Sequence, residues 1–311
     1  MEKDKFIGSL IGCAIGDAIG ELAFFCKEKD RLFKEIQQRG ILTYTDDTAM
    51  TIGIAKALLE KRDVDEEYFG DMLAKEFYKE PWRGYASGPP TVFAMVKERN
   101  IPYSKAAGLL FDGKGSYGNG AAMRIAPIGL FFHNLSKEDF YKKAASSARI
   151  THAHHVGIDG AVVQAKAVAI ALELKPNESF SYKEFLDELI SISKTDQIRN
   201  KLLDVKELLD KESEPKEAIS KLGKSVAVHE SMPFSIYSFL KYHHSFVDCL
   251  LCSVLHGGDR DTLGAMACAI CGAYLGVDSI PKEWIKKLEN SNHIKSLAEG
   301  LYEMHIDYCR I

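Results

Sequence analysis

Nowhere in this 311-residue chain does an alternation of apolar and polar residues run long enough to suggest a sheet, which argues against a β fold. A basic excess is missing too. Forty Lys and Arg stand against 44 Asp and Glu, a formal charge of −4, and this excludes nucleic-acid binding by bulk charge. No apolar run reads as long enough to span a bilayer: residues 6–15 form a short one, and Asp17 follows soon after. Glu2, Lys3, Asp4 and Lys5 cancel, so the N-terminus lacks the basic region of a signal peptide. The expectation is a cytoplasmic protein with no membrane or nucleic-acid partner. Long linkers, low-complexity tracts and repeats are absent as well, so one domain over residues 1–311 is expected.

Cysteine is present in an arrangement that resembles a metal motif. Cys249-x-x-Cys252 and Cys268-x-x-Cys271 fit the spacing of a four-thiolate zinc site. Both pairs lie inside apolar segments with helical periodicity, whereas zinc ribbons sit on polar turns. Reduced core cysteines are the better reading.

What the chain does have is helical periodicity from end to end. In residues 6–20, Gly8, Gly12, Gly16 and Gly20 recur every fourth position, which puts a flat strip on one helix face for a second helix to approach. Other expected helices include 121–131, beginning beside a glycine-rich loop, and 233–242, beginning at Pro233. The charged stretch 175–224 reads as solvated outer helices. The fold class is all-α, a compact orthogonal helical domain.

Two acidic clusters stand where helices should begin: Thr45-Asp46-Asp47-Thr48, and Asp259-Arg260-Asp261-Thr262 after Gly257-Gly258. Thr and Asp are common N-caps, stabilised by the helix dipole. Clustered aspartates also repel one another, and hard oxygen donors without His or Cys suit magnesium, calcium or manganese. Between them lies Phe111-Asp112-Gly113-Lys114-Gly115-Ser116-Tyr117-Gly118-Asn119-Gly120. Its glycines let backbone amides turn toward an anion, with Phe111 and Tyr117 placed to clamp an aromatic base. Gly115 stands where a nucleotide triphosphatase loop would need Ser or Thr, so that class is disfavoured. Thr151-His152-Ala153-His154-His155 offers imidazoles for metal, proton transfer or phosphate, although structural hydrogen bonding is the plainer role for any one of them.

Together, these segments resemble the ADP-ribosylglycohydrolase family over nearly the whole chain and in the same order. The likeness runs from Gly16-Asp17-Ala18-Ile19-Gly20 through Arg83-Gly84-Tyr85 and Ala122-Met123-Arg124 to the second acidic cluster. It implies two magnesium ions held by Thr45, Asp46, Asp47, Asp259, Asp261 and Thr262. It implies a diphosphate held by Gly115, Ser116, Tyr117, Gly118 and Asn119 with His152 nearby, and adenine between Phe111 and Tyr117. The implied partner is ADP-ribose or an ADP-ribosylated protein.

The chain departs from the family at Phe24, where active relatives carry a glutamate. Glu21 and Glu28 are the nearest carboxylates that could replace it, and Arg260 is expected to weaken or occupy part of the cation site. The branch resembled is the one that hydrolyses ADP-ribosyl-serine and poly(ADP-ribose), together with its jellyfish J-crystallin offshoot, proteins of the eye lens. Two expectations follow: a catalytically silent structural protein of the crystallin kind, or a magnesium-dependent hydrolase of the O-glycosidic bond using Glu21 or Glu28.

Overall fold

In the computed structural model, which describes residues 2–178 and 180–308, the glycine strip does what its spacing predicts. The first half of the chain forms α1 (Glu2–Ala23), α2 (Lys29–Gln38), α3 (Asp46–Lys61), α4 (Glu66–Lys79), α5 (Gly88–Arg99) and α6 (Tyr103–Gly108). The short α7 (Leu110–Gly113), α8 (Gly120–Met123) and α9 (Ala126–Phe131) follow, then α10 (Lys137–Arg149) and α11 (His155–Glu173). The second half comprises α12 (Tyr182–Ile192), α13 (Asp196–Asp210), α14 (Pro215–Leu222), α15 (Val228–Lys241), α16 (Phe246–His256), α17 (Arg260–Leu275), α18 (Lys282–Lys287) and α19 (Ser291–Tyr308). Among the described residues there is no strand longer than an isolated bridge.

α1 and α17 run antiparallel through the core. A Cβ on Gly16 would lie 2.1 Å from the Gly264 carbonyl oxygen, and one on Gly264 would lie 2.2 Å from that of Gly16. Gly8 and Gly272 repeat the pairing one end along, and Gly20 abuts the backbone of Arg260 and Asp261 at the other. Only hydrogen fits at these positions, since real Cβ atoms do not approach backbone so closely. Gly16→Val is therefore expected to destabilise the fold by about 3 kcal/mol, read as a fall in Tm of several degrees. Gly40→Ala, where the added carbon meets nothing within 4 Å, should leave Tm nearly unchanged. An unchanged Tm in the valine variant would refute the close helix pairing.

α1 and α11 correct the reading that no segment reaches membrane-spanning length. They have 22 and 19 residues with mean hydropathy 1.5 and 1.3, long and apolar enough by those measures. Both are core helices here, with 89% and 83% of those windows buried. Each also carries a fully buried aspartate, and neither aspartate is left unpaired. Asp159 on α11 accepts from the amides of Lys194 and Thr195, fixing the connection between α12 and α13.

Three helix boundaries differ from expectation for identifiable reasons. The run 121–131 is broken into α8 and α9, because Pro127 sits in the first turn of α9 and starts a new helix. α15 begins at Val228, so Pro233 lies inside it and leaves only the His229 carbonyl without its helical donor. α2 was not anticipated. Of its ten residues only Leu32 and Ile36 are buried, too sparse an apolar pattern to stand out. The four paired cysteines are all buried and unbridged, and burial raises the thiol pKa of each. They are core thiols, as read from their context.

Candidate functional site

The antiparallel pairing carries the N-terminus of α17, with Asp259 and Asp261, to the C-terminal end of α1. One turn below Gly20, Asp17 brings in the other acidic cluster. Its carboxylate accepts from the Thr45 amide (3.0 Å), the Thr45 hydroxyl (2.8 Å), the Thr48 amide (3.0 Å) and the Thr48 hydroxyl (2.6 Å). Asp17 thus caps α3 from outside that helix and fixes Asp46 and Asp47 against α1. Asp17 lies within the motif at residues 16–20, where sequence alone marks no role for it.

Behind Asp46 the Arg83-Gly84-Tyr85 segment closes the wall. The Asp46 amide donates to the Arg83 carbonyl at 2.8 Å. The Arg83 guanidinium is itself buried, bonded to Glu80 and to both oxygens of Glu289, and stacked 4.2 Å from the Tyr44 ring. A second buried cation, Arg124, is wholly enclosed and donates to Thr151 Oγ1 at 2.7 Å. Burial lowers its pKa to about 9, while the nearby negative charge of Asp46 works against that fall.

Five carboxylates now share one region: Asp17, Asp46 and Asp47 are buried, and Asp259 and Asp261 are half-buried. Burial lifts the pKa of Asp17 to about 6, and burial plus the Asp17 charge lift that of Asp46 to about 7. Burial and the charges of Asp259 and Asp17 raise Asp261 to about 8. Asp47 is pushed well up by burial and by its four acidic neighbours, and Asp259 is raised by burial. Asp47 Oδ1 and Asp261 Oδ1 are buried with no hydrogen-bond partner. Unpaired buried acceptors within a repelling cluster fit a hard divalent cation, which would supply both the missing partner and the missing charge. Thr45 Oγ1 stands 3.1 Å from Asp47 Oδ2, and Thr262 is buried at the first turn of α17, so both hydroxyls belong to the same wall.

These raised carboxylates set a pH dependence. In the folded chain they hold protons that the unfolded chain releases near pH 4, so their stabilising contribution falls as pH rises through the folded values. The buried histidines, whose pKa values are lowered, act in the opposite sense below about pH 6.5. From pH 7 to 8 the titrations of Asp46 and Asp261 dominate. Tm in chelator is expected to fall across that interval, and the fall should shrink in excess magnesium. A rise in chelator would contradict the cluster.

Arg260 does not occupy the cage. Successive helical residues point about 100° apart, and its guanidinium turns from Asp259 and Asp261 to donate to the Val254 carbonyl at the end of α16. The expectation that Arg260 occupies part of the cation site is thus corrected. Glu28 is corrected as well: it is the exposed N-cap residue of α2, outside the helix that carries Glu21. Glu21 is half-buried on α1, four residues after Asp17 and so on the same face. Phe24 lies just past the last helical residue of α1, its amide bonded to the Glu21 carbonyl.

The glycine-rich loop lies on the first turn of α11. A Cβ on Gly157 would meet the Ser116 carbonyl oxygen at 2.5 Å, and one on Gly115 would meet the His154 nitrogen at 2.6 Å. A two-stranded bridge holds the other edge, with the Asn119 amide bonded to the Val226 carbonyl and the Val228 amide to that of Tyr117. Gly118 donates to Ser116 Oγ at 3.1 Å, and Asn119 Nδ2 donates to Asp259 Oδ2 at 2.6 Å, so loop and cage are directly joined. The long helix whose N-terminus meets the loop is α11; the expected single helix 121–131 is broken.

Phe111 and Tyr117 are 61% and 51% exposed, available as flat surfaces for a ring. Phe111 and Asp112 take left-handed backbone angles (φ 53° and 57°), and such strain is often found at ligand sites. His152 is buried below the loop, beneath Gly118 and Gly120. Burial and the Arg124 charge lower its pKa to about 3, so it is neutral. Thr151 Oγ1 accepts from Arg124 and lies 2.8 Å from His152 Nδ1; when the hydroxyl donates to Nδ1, the ring proton sits on Nε2, the atom facing the loop. His154 caps α11 through Nδ1 and stacks on the exposed His155 ring at 4.3 Å, while His152 is buried below the loop.

Fold and site define an all-α protein that sets a glycine-rich loop beside aspartates from two helix starts. The ADP-ribosylglycohydrolase family profile matches residues 1–309, and the chain belongs to that family. ADP-ribosylhydrolase ARH3 of Homo sapiens is 32% identical over 340 residues, covering 96% of this chain and 93% of that protein. ARH3 of Gallus gallus is 33% identical, covering 98% and 94%. An uncharacterized protein of Archaeoglobus fulgidus is 31% identical, with 98% of each covered. A solved structure described as an ADP-ribosylglycohydrolase-related protein complex superposes with a TM-score of 0.72 over 98% of this chain and 99% of that one. At 22% identity it speaks for the fold alone.

Proposed function

We propose that this protein binds the ADP-ribosyl group with magnesium in the aspartate cage and hydrolyses its O-glycosidic bond to serine or to a further ADP-ribose. The observation that carries this reading is the pair of unpartnered buried oxygens, Asp47 Oδ1 and Asp261 Oδ1. A protein valued only for solubility and bulk has no use for so costly a cluster. Arg260, one of two motives for a silent protein, points elsewhere.

Thr45, Asp46, Asp47, Asp259, Asp261 and Thr262 would hold the cation, which would bind and orient the ribose hydroxyls and offset negative charge developing on the leaving oxygen. The Ser116 and Tyr117 amides and His152 Nε2–H are the donors for the diphosphate, and Phe111 and Tyr117 flank the adenine. Asn119 keeps the loop in register with Asp259. Glu21 takes a proton from the attacking water and returns one to the leaving oxygen.

The second reading, a silent structural protein of the J-crystallin kind, is favoured by Phe24, which offers no carboxylate where the family's active members carry one. Release of free ADP-ribose from a serine-ADP-ribosylated peptide separates the two. Release that stops in chelator and returns with magnesium supports the hydrolase. No release under either condition favours the silent protein.

A further inference from the structure

Far from the aspartate cage, three donor side chains converge where α1 begins, α9 ends and α19 closes the fold. Glu2, His133 and His305 bring one ligating atom each to within 4.8 Å of one another. The Glu2 carboxylate is exposed, while both imidazoles are buried. His133 Nδ1 lies 2.8 Å from the Leu130 carbonyl oxygen, and His305 Nδ1 lies 2.8 Å from that of Phe131. A carbonyl oxygen can only accept, so Nδ1 carries the proton in both rings. Each Nε2 is therefore a lone pair, and burial lowers both histidine pKa values, which keeps the rings neutral.

Metal-binding histidines have this arrangement, with the outer nitrogen donated to a backbone carbonyl and the inner one presented to the ion. The His133 and His305 rings lie 4.3 Å apart at 34°, with the Phe6 ring packed against both. Glu2 Oε1 is 3.7 Å from His133 Nε2, too far for a hydrogen bond, and a neutral imidazole gives it no ion pair. Asn134 Nδ2 lies 3.3 Å from His305 Nε2, and rotation of that amide would open the ring nitrogen or turn its oxygen toward an ion.

We propose that Glu2, His133 and His305 form a second metal site, selective for zinc or a similar transition ion over magnesium because two of its donors are imidazoles. An ion there ties the first turn of α1 to the exit of α9 and the end of α19. It stabilises the fold and takes no part in the chemistry of the cage.

The test is a zinc titration of the untagged full chain in saturating magnesium, which keeps the cage supplied with its own ion. The wild type is expected to bind one more zinc ion than His133→Gln or His305→Gln. Its Tm should rise by about 5 °C at roughly 100-fold excess over Kd. Glu2→Gln, at an exposed position that does not threaten folding, should weaken the same binding about tenfold or more. Cobalt in place of zinc should give the visible bands of a four-coordinate ion in the wild type and lose them in the histidine variants. Equal zinc stoichiometry and equal Tm shifts in the wild type and all three variants would overturn the proposal.

Discussion

Asparagine at position 261 is expected to weaken magnesium-dependent ADP-ribose binding by roughly 100-fold or more, beyond what second-sphere changes cost at metal sites. The same change is expected to raise, not lower, the stability of the chain in chelator at pH 8. Both effects have one cause. Burial and the charges of Asp259 and Asp17 make an ionised Asp261 unfavourable, and one of its oxygens has no partner. A neutral amide relieves the repulsion and removes a hard anionic ligand together. Isothermal titration and thermal melting of the same sample read both effects, and their opposite signs separate site loss from misfolding. An Asp261→Asn variant with wild-type affinity would remove Asp261 from the cage. One that melts lower in chelator would refute the electrostatic account.

Glutamine at position 21 is expected to cut turnover of the serine-linked substrate by two to four orders of magnitude, the usual range for losing a positioned proton-transfer group. That corresponds to about 3–5 kcal/mol on the barrier. Binding of ADP-ribose should change little, because Glu21 belongs to neither the loop nor the cation ligands. The effect should appear in kcat with KM nearly unchanged. Glu28→Gln serves as the comparison: Glu28 is exposed at the start of α2 and should leave turnover intact. Equal activity of Glu21→Gln and wild type would show that the proton moves through another group. Substituting Phe24 with Glu, which adds a carboxylate three residues from Glu21, should raise turnover in either variant background.

Some of this site was legible before any coordinates. The four-residue spacing of Gly8, Gly12, Gly16 and Gly20 fixes a helix face by geometry alone, and the structure fills that face with α17. The acidic clusters could be read as helix starts because Thr and Asp have a local capping chemistry, and Thr45 does cap α3. Asp17 was not legible as the link between them. Its partners Thr45 and Thr48 lie on another helix, and nothing local in an apolar run marks an aspartate as satisfied.

Arg124 was equally hidden, since only tertiary packing puts a guanidinium wholly inside the core behind Asp46. The expectation for Arg260 failed because adjacency in sequence was read as adjacency in space, whereas a helix turns neighbouring side chains apart. His133 and His305 were missed for the opposite reason, being distant in sequence and brought together only by the packing of α1, α9 and α19.

The most direct test of the cage as an ADP-ribose site is calorimetry of free ADP-ribose against the wild-type protein, in magnesium and in chelator. The account predicts a single binding event in magnesium that is lost in chelator and recovered when magnesium is restored. Equal heats in both conditions, or none in either, would contradict it.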